Sequence, residues 1–532
     1  MPKPLPIGIQ SFEKLITEGY LYVDKTRDIY RLITEGVVYF LSRPRRFGKS
    51  LLISTLEAIF LGRKELFRDL WIDSSEYHWN PHPVIRIDFS QFRVISAEDL
   101  KAKLEERIHE IANAAGVVCD VGDYQKQFRD LITRLSANGK VVVLVDEYDK
   151  PIIDNIGNVE NAGQIRDVLK GFYEVLKGLD EYLRFVFLTG VSKFSKVGVF
   201  SGLNHLKDIT LDTRFGSMLG MTHSEMEARF AEHIRIFSGN AGIPVPDLVE
   251  KIRFWYDGFC FSYAGVPIYN PFSLLMALDM QDFRNYWFET GTPTFLLRLL
   301  RRQEYDVQEL ENLQVNELAF SSYEIDRLDV LPILVQAGYL TIKGYDPTRR
   351  LYTLDYPNFE VRESFIKYLI DEFTPVRKER SDAQIWKMID AMKIGDMAQF
   401  FEILQIFFAG IPYDIQIKRE RYYQTVFYLI FRLMGLQTGV EVRTGKGRID
   451  AVVELQEGIF IFEFKITENA DAALAQIHEK GYARPYQGRD VPIHLIGAVF
   501  GTEGQGIVDW KAEQLPALNE KLTPKDIKIK NI

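Results

Sequence analysis

The tripeptide Gly48-Lys49-Ser50 is the first group of residues in the sequence whose spacing could do chemistry. An apolar, β-branched run over residues 36–41 precedes it and predicts a buried strand, and apolar residues at helical spacing follow it from Leu52. This is the order of a phosphate-binding loop (P-loop), in which backbone N–H groups and a helix N-terminus cradle an anion. Lys49 is expected to bind the β- and γ-phosphates of ATP and Ser50 to bind Mg²⁺. The predicted nucleotide contacts are Arg46, Phe47, Gly48, Lys49, Ser50 and Leu51.

The loop departs from the pattern G-x-x-x-x-G-K-[ST], because Arg43 stands where the first Gly is expected. A Gly at that point lets the loop turn without a clash from Cβ. Arg43, Arg45 and Arg46 instead make the loop strongly cationic. A basic turn before a helix would explain a bare Gly-Lys-Ser. The preceding strand, the following helix and an acidic strand further along the chain favour a nucleotide site.

That acidic strand is the apolar run over residues 140–145, which ends in Asp146 and Glu147. Such runs are typical of strands buried on both faces of a parallel sheet, and ligands bind beyond the carboxyl ends of these strands. We expect Asp146 to hold Mg²⁺ and Glu147 to act as the base that activates water for γ-phosphate hydrolysis. A strand ending in a solvated acidic turn is the alternative.

Four strand-like runs alternate with helical patterns and predict an α/β fold, a P-loop sheet with helices on both faces. They cover residues 36–41, 84–89, 140–147 and 184–190. Thr189, at the end of the last run, stands where many P-loop ATPases place a sensor of the γ-phosphate. An ordinary strand-ending threonine is an equal alternative. Upstream of the first strand, residues 7–12 and 22–26 are expected either to cover the nucleotide base or only to pack.

A second chemical group comprises Asp450, Glu463 and Lys465, on two strand-like halves that reverse tightly. If Glu457-Gly458 is the two-residue turn, Lys465 lies opposite Asp450 and Glu463 lies opposite Val452. Because side chains alternate along a strand, the two acids and the lysine then share one face. This set suits a Mg²⁺-dependent phosphodiesterase. The carboxylates hold the metal, the metal lowers the pKa of bound water, and the lysine assists the transition state.

This hairpin resembles the PD-(D/E)xK nucleases, with Asp450 as the D and Glu463-Phe464-Lys465 as the ExK. The resemblance implies a restriction-endonuclease-like α/β domain in which Asp450 and Glu463 bind Mg²⁺ or Mn²⁺. It further implies that Glu420 is the family's helix acid, and that Gln476 and Tyr482, on the next amphipathic helix, form its Gln/Tyr pair.

The middle of the chain, from about residue 230 to 375, is predicted to be helical with one β-rich insertion. A short helix over residues 331–338 and two alternating strands at 339–343 and 351–354 give the outline of a winged helix. DNA binding and a lid packed on the ATPase are both open, and the few basic residues on the helix favour the lid. A polar, Pro-containing stretch over residues 374–382 is the predicted boundary of the last domain.

The expected domains are therefore a P-loop AAA-like ATPase over residues 1–235, a helical and winged-helix-like lid over 236–375, and a PD-(D/E)xK nuclease-like domain over 376–532. Several peptides resemble a group of bacterial proteins with an AAA-ATPase-like domain and a C-terminal PD-(D/E)xK domain. They are residues 43–50 (RPRRFGKS), 146–151 (DEYDKP), 202–211 (GLNHLKDITL), 255–258 (WYDG), 269–271 (YNP) and 286–293 (YWFETGTP). The resemblance covers nearly the whole chain and implies nucleotide binding. An arginine at position 43 is usual for the group.

Composition limits the alternatives. The 532 residues are too many for one core, and no apolar stretch approaches the roughly 18 residues that a membrane span needs. Two distant cysteines, Cys119 and Cys260, give no disulfide framework and indicate a reducing compartment, so the cytoplasm is expected. The net charge of −9 leaves room only for local basic patches toward nucleic acid.

Two functions follow from these patterns. The first is an ATPase coupled to, or gating, a Mg²⁺-dependent nuclease that acts on DNA or RNA. The second is a nucleotide-dependent switch, whose C-terminal domain binds nucleic acid or a partner without cleavage. The retained Asp450, Glu463 and Lys465 favour the first, and the acidic net charge favours the second.

Overall fold

The computed structural model describes residues 2–193, 199–200, 203, 205–288, 294–303, 305–320, 329–374, 376–408, 419–438, 442–444, 450–465, 468–501 and 506–515. The chain divides into two compact units, Met1–Thr292 with Leu310–Val361 and Pro293–Glu309 with Arg362–Ile532. The first unit holds the P-loop together with much of the expected lid, so these units do not follow the predicted three-part division, which stays a prediction. Within the described residues no helix has the length and apolar content needed to cross a membrane.

Five parallel strands form the main sheet of the first unit, in the order β2-β3-β4-β1-β5. The strands are β1 (Val38–Ser42), β2 (Val84–Asp88), β3 (Val141–Asp146), β4 (Leu183–Gly190) and β5 (Lys207–Asp208). Every residue of β1 and β3 is buried, as expected for a parallel sheet covered on both faces. The four predicted strands and the parallel α/β arrangement are confirmed, and β5 is too short to leave a pattern in the sequence.

Seven helices accompany this sheet along the chain. They are α1 (Phe12–Thr17), α2 (Thr26–Glu35), α3 (Lys49–Phe60), α4 (Ala97–Ala114), α5 (Tyr124–Leu135), α6 (Lys150–Ile153) and α7 (Val159–Lys177). The side chains of Ser96, Asp123 and Asn158 cap α4, α5 and α7 by accepting hydrogen bonds from first-turn N–H groups. Helix α3, which carries the P-loop lysine, packs in the same core as Leu41 of β1 and Leu144 of β3.

A second core in this unit joins the N-terminal segment to the helices that follow the sheet. These elements are β6 (Met221–Thr222), α8 (His223–Ala241), α9 (Val245–Tyr256), β7 (Ile268–Tyr269) and α10 (Pro271–Met280). Leu21 and Val23 pack with Phe230 of α8, Ile252 of α9 and Leu275 of α10. The N-terminal segment is thus held between the P-loop region and these helices.

The helix and hairpin predicted over residues 331–354 are present further along the chain, and a third strand pairs with the hairpin. The elements are β8 (Leu313–Val315), α12 (Val330–Gln336), β9 (Thr341–Asp346) and β10 (Leu351–Asp355), and the antiparallel order is β8-β10-β9. The Gln336 side chain accepts a hydrogen bond of 2.7 Å from the backbone N–H of Lys193, just after β4. This contact joins α12 to the segment that follows β4, and the two interpretations of the helix and hairpin, a lid and a DNA-binding winged helix, both stay predictions.

The second unit carries the remaining helices and a mixed sheet. The helices are α11 (Thr294–Arg302), α13 (Phe359–Phe373), which begins just before the unit's boundary, α14 (Lys378–Lys393), α15 (Met397–Phe408), α16 (Arg419–Thr438) and α17 (Ala470–Lys480). The strands are β11 (Val442–Thr444), β12 (Asp450–Glu454), β13 (Ile459–Lys465), β14 (Ile493–Phe500) and β15 (Ile507–Leu515), in that order across the sheet. Strands β13 and β14 are parallel and the other neighbours are antiparallel.

The predicted register of the β12–β13 hairpin is wrong by two residues. Asp450 lies opposite Glu463, and Val452 lies opposite Ile461. The turn is Gln456-Glu457 rather than Glu457-Gly458, since the backbone N–H of Leu455 donates to the carbonyl of Gly458 at 2.9 Å. A slip by an even number of residues keeps every position on its face of the sheet. The predicted grouping of positions 450, 463 and 465 therefore survives the correction.

Candidate functional site

The P-loop joins the buried end of β1 to α3. Gly48 has φ 87°, a left-handed conformation that glycine adopts without strain, and α3 begins at the next residue. The Lys49 ammonium is buried and donates to the carbonyls of Arg43, at 3.0 Å, and Pro44, at 2.9 Å. Burial lowers the pKa of Lys49, and the nearby carboxylates of Asp146 and Glu147 oppose this. The lysine is thus held across the loop, where phosphate oxygens can reach it.

Arg43 explains how the loop is built without its first glycine. Its side chain is 1% exposed and donates to the carbonyls of Ser42 and Thr210, both at 2.8 Å, and its guanidinium lies 4.4 Å from the centroid of the Phe261 ring. Burial lowers the pKa of Arg43 to about 9. The left-handed turns of the loop fall instead at Arg46, with φ 65°, and Gly48. Arg43 therefore has a structural role, and the remaining arginines face the ligand region.

The acidic pair at the end of β3 lies at the same edge of the sheet as the P-loop. The Asp146 side chain is 1% exposed, and its Oδ2 has no hydrogen-bond partner in the described part of the chain. Burial raises the pKa of Asp146, while a hydrogen bond from Ser50 and the charge of Lys49 lower it. A buried carboxylate oxygen with an open lone pair beside a serine hydroxyl fits a Mg²⁺ position.

Glu147 follows Asp146 and faces the ligand cavity. Its backbone is left-handed, with φ 50°, which is uncommon for a residue with a side chain and is often found at functional sites. Burial raises the pKa of Glu147. A raised pKa brings a carboxylate closer to the value that suits a general base near neutral pH.

A cavity of about 490 Å³ opens beside these groups. Its size is within the range of small-ligand sites. Its polar lining includes residues 45–50 of the loop and Glu147, and its apolar lining includes Ile9, Tyr22, Val23 and Leu275. The N-terminal segment, which was expected either to cover the nucleotide base or only to pack, thus forms a wall of this cavity.

Asp149 is a cavity residue that the sequence interpretation missed. Its side chain is 1% exposed, and its Oδ2 accepts hydrogen bonds from the backbone N–H groups of Val191, at 3.1 Å, and Ser192, at 2.6 Å. Burial raises the pKa of Asp149 to about 6. The available signal was the third acid in the DEYD stretch at residues 146–149. Asp149 ties the acidic end of β3 to the chain that leaves β4.

Thr189 lies at the end of β4, as predicted, but the structure does not bring its hydroxyl to the cavity. The side chain is fully buried and donates to the carbonyl of Leu41 in β1 at 2.9 Å. This hydroxyl therefore forms a hydrogen bond between two neighbouring strands, β4 and β1. Sensing of the γ-phosphate by Thr189 stays a prediction without a geometric contact to support it.

The second candidate site lies on the sheet of the second unit. The Glu463 side chain is 3% exposed, and its Oε1 accepts a hydrogen bond from the amide nitrogen of Gln476. The Lys465 ammonium donates to the amide oxygen of Gln476 and lies 3.7 Å from the same Glu463 oxygen. Gln476 therefore binds the predicted acid and the predicted lysine at once, and the structure brings these three predicted residues together.

The other predicted members of this site are placed by their backbones. Asp450 lies directly opposite Glu463 in the hairpin, and Glu420 is the second residue of α16; their side chains lie outside the described part of the chain. Tyr482 was predicted to lie on the helix of Gln476, and this is wrong. Helix α17 ends at Lys480, and Gly481 terminates it in a left-handed conformation. Tyr482 packs instead against the local apolar core.

The second site offers carboxylate oxygens as donors for a metal ion. Among the described residues no cluster of three or more Asp, Glu, His or Cys side chains is suited to hold a metal ion. Mg²⁺ usually takes only one or two protein carboxylates and keeps several water ligands. The buried Glu463 opposite Asp450 fits that requirement.

These two folds and sites define a protein with a P-loop ATPase-type domain and a nuclease-type α/β domain. Residues 6–200 match the family model described as Predicted AAA-ATPase, and residues 418–510 match that of the PD-(D/E)XK nuclease superfamily. The chain is 40% identical over 530 residues to an uncharacterized protein in the vnfD 5′ region of Azotobacter chroococcum mcd 1, covering 96% of this chain and 99% of that relative. It therefore belongs to the family of AAA-ATPase-like proteins with a C-terminal PD-(D/E)XK nuclease domain.

Proposed function

We propose that this protein binds and hydrolyses ATP, and that its nucleotide state controls a Mg²⁺-dependent nuclease acting on DNA or RNA. The observation that carries the proposal is the convergence of Lys49, Ser50, Asp146 and Glu147 at one edge of the sheet, beside a cavity of about 490 Å³. A P-loop lysine next to a buried acid and a half-buried base is the set that nucleotide hydrolysis requires.

At the ATP site each residue has a distinct role. Lys49 binds the β- and γ-phosphates, and backbone N–H groups at the start of α3 complete the cradle. Ser50 and Asp146 would hold Mg²⁺, which when bound neutralises phosphate charge. Glu147 orients the attacking water and accepts its proton. The apolar wall from the N-terminal segment excludes water from the end of the cavity that takes the adenine base.

At the nuclease site Asp450 and Glu463 would hold Mg²⁺ or Mn²⁺, which when bound activates water toward a phosphodiester. Lys465 orients that water or stabilises the negative charge of the transition state. Gln476 fixes Glu463 and Lys465 relative to each other through its amide. Positioning of this kind supports catalysis because the reacting groups need not be ordered during the reaction.

A regulatory switch without cleavage is the second candidate function. The observation that favours it is a hydrogen bond between the helical region and the P-loop. Trp287 Nε1 donates to the carbonyl of Arg45 at 3.0 Å. Movement of the loop on nucleotide exchange would be transmitted through this bond. Cleavage of nucleic acid separates the two functions.

The ATP site is tested by the substitution Lys49→Ala. We expect calorimetry to show loss of most ATP affinity and a phosphate-release assay to show loss of turnover, because the buried ammonium is removed from the phosphates. Lys14→Ala, an exposed lysine on α1, is the matched control and is expected to behave as wild type. Equal ATP affinity in wild type and Lys49→Ala would contradict the proposal.

A further inference from the structure

Residues 45–47 of the P-loop are held from outside by aromatic side chains of the same unit. Trp287 donates to the Arg45 carbonyl, and the Phe47 ring packs edge-on against Phe259 and Phe261, with centroids 5.0 and 5.2 Å apart. Phe47 is buried. The backbone of this half of the loop is therefore held by packing within the protein.

Arg46 is the residue that this packing presents to the cavity. Its backbone is left-handed, with φ 65°, a conformation that persists only where the surroundings enforce it. Its guanidinium lies 4.9 Å from the centroid of the Phe272 ring, and both residues line the cavity that contains Lys49 and Glu147. Its contact among the described residues is thus an aromatic face rather than a carboxylate, so a phosphate does not have to displace an ion pair.

We propose that Arg46 stabilises the γ-phosphoryl group in the transition state of ATP hydrolysis, and that the chain which binds the ATP supplies this arginine itself. The inference rests on the proposed ATPase function and adds a catalytic residue to it. Arginines with this role are supplied either by the same chain or by a partner. The placement of Arg46 within the P-loop points to the first arrangement.

The reaction balances with the groups on the cavity wall. The oxygen of water forms a bond to the γ-phosphorus while the bond from phosphorus to the β,γ-bridging oxygen breaks, and the electron pair of that bond stays on ADP. Glu147 accepts a proton from the water and later returns it to solvent, leaving ADP and inorganic phosphate. Negative charge is spread over the oxygens of the γ-phosphoryl group in this transition state, and the Arg46 guanidinium can donate to them charge-assisted hydrogen bonds stronger than its contact with Phe272.

The substitution Arg46→Gly separates this role from a structural one. Glycine suits the left-handed backbone at position 46, so the loop should fold at least as well as in wild type. We expect kcat for ATP to fall by about 1,000-fold or more, the lower end of the range for such arginines. The Kd for ADP should change less than about threefold. Aluminium fluoride, added as a transition-state mimic, should tighten ADP binding in wild type and not in the variant.

Two further variants sharpen the result. Arg46→Lys keeps the charge but lacks the planar donor fork, and it should recover only part of the rate. Arg68→Ala, an exposed arginine elsewhere in the unit, is the matched control. An unchanged kcat in Arg46→Gly would overturn the inference. Equal losses of kcat and ADP affinity would also overturn it, because they would indicate general damage to the loop.

A mixing experiment tests whether the arginine acts within its own chain. Lys49→Ala and Arg46→Gly proteins are combined, and ATP turnover is measured. We expect no recovery, since neither chain holds both groups; recovered activity would show an arginine supplied between chains and overturn the assignment. Wild-type protein that neither binds nor hydrolyses ATP would overturn the proposed function, and this inference with it. Normal wild-type turnover with an active Arg46→Gly variant would overturn this inference alone.

Discussion

At the residue scale, the position where a P-loop usually begins with glycine buries an arginine. The guanidinium of Arg43 donates to three main-chain carbonyls. They belong to Ser42 at the end of β1, to Thr210 and, at 3.3 Å, to Phe215. A buried cation that satisfies carbonyls from several segments holds those segments together, and removing it leaves the carbonyls unpaired. The departure from the P-loop pattern is thus a structural element of this fold.

Restoring the usual glycine should therefore weaken the protein. We expect Arg43→Gly to lower the free energy of unfolding of the first unit by about 2–4 kcal/mol, through lost hydrogen bonds and a cavity. Thermal unfolding followed by circular dichroism would measure this as a fall in Tm, with the exposed-site variant Arg68→Ala as control. A variant as stable as wild type would contradict the structural role of Arg43.

Glu147 allows a second test on a single residue. Glu147→Gln removes the base but leaves Asp146, Ser50 and Lys49 in place, so ATP should still bind. Hydrolysis should slow by about 10²–10⁴-fold, the usual contribution of a general base. Single-turnover phosphate release together with calorimetry would separate the two quantities. Unchanged turnover would mean that Glu147 only ends the strand.

At the element scale, Asp149 links the ends of β3 and β4, and its raised pKa gives this link a pH dependence. Between the usual pKa of 3.8 and about 6, the folded state holds a proton that the unfolded state has released. The contribution of Asp149 to stability therefore falls as pH rises through this window and is constant above it. Its size is on the order of 3 kcal/mol, from roughly two pKa units.

Asp149→Asn tests this dependence, because an amide oxygen can keep the hydrogen bonds to Val191 and Ser192 without titrating. We expect wild type to lose stability relative to the variant between pH 4 and pH 6, with no further difference from pH 7 to pH 8. Denaturant midpoints of both proteins at these pH values give the comparison. Parallel pH profiles would indicate that Asp149 titrates normally.

The elements differ in how far the sequence could predict them. The P-loop, the acidic strand and the ExK strand were predictable because each depends on a local pattern of a few residues. The partners of Arg43 were not, because Thr210 lies 167 residues away in sequence. The hairpin turn was misplaced because a two-residue turn can be placed at either Glu457-Gly458 or Gln456-Glu457 in the sequence, and the observed register, with Asp450 opposite Glu463, corresponds to the second.

The sequence also left alternatives open where a side chain had two possible partners. The strand pattern located Thr189 correctly, but a threonine at a strand end can bond to a ligand or to the next strand. In the structure Leu41 pairs with Thr189 across β1 and β4, and the Thr189 hydroxyl donates to the Leu41 carbonyl. Tyr482 was assigned to the helix of Gln476 from the resemblance to the nuclease family, and the left-handed backbone of Gly481 ends the helix before Tyr482.

At the scale of the whole molecule, an acidic chain is proposed to act on two anionic substrates. With a net charge of −9, general attraction to nucleic acid is weak, so binding must depend on local cations and bound metal. In the P-loop these cations are Lys49 and the arginines at positions 45 and 46. On the nuclease sheet Lys465 has this role. Both activities should therefore depend strongly on divalent metal.

The most direct test is cleavage of single- and double-stranded DNA and RNA by the full-length protein in Mg²⁺ or Mn²⁺, with ATP, ADP or no nucleotide. Wild type should cleave at least one substrate at a rate that changes with the nucleotide. Glu463→Gln should abolish cleavage while ATP turnover continues, and Glu479→Gln, an exposed acid on α17, should behave as wild type. Wild-type protein that cuts nothing under any of these conditions, or a Glu463→Gln variant that cuts normally, would contradict the account.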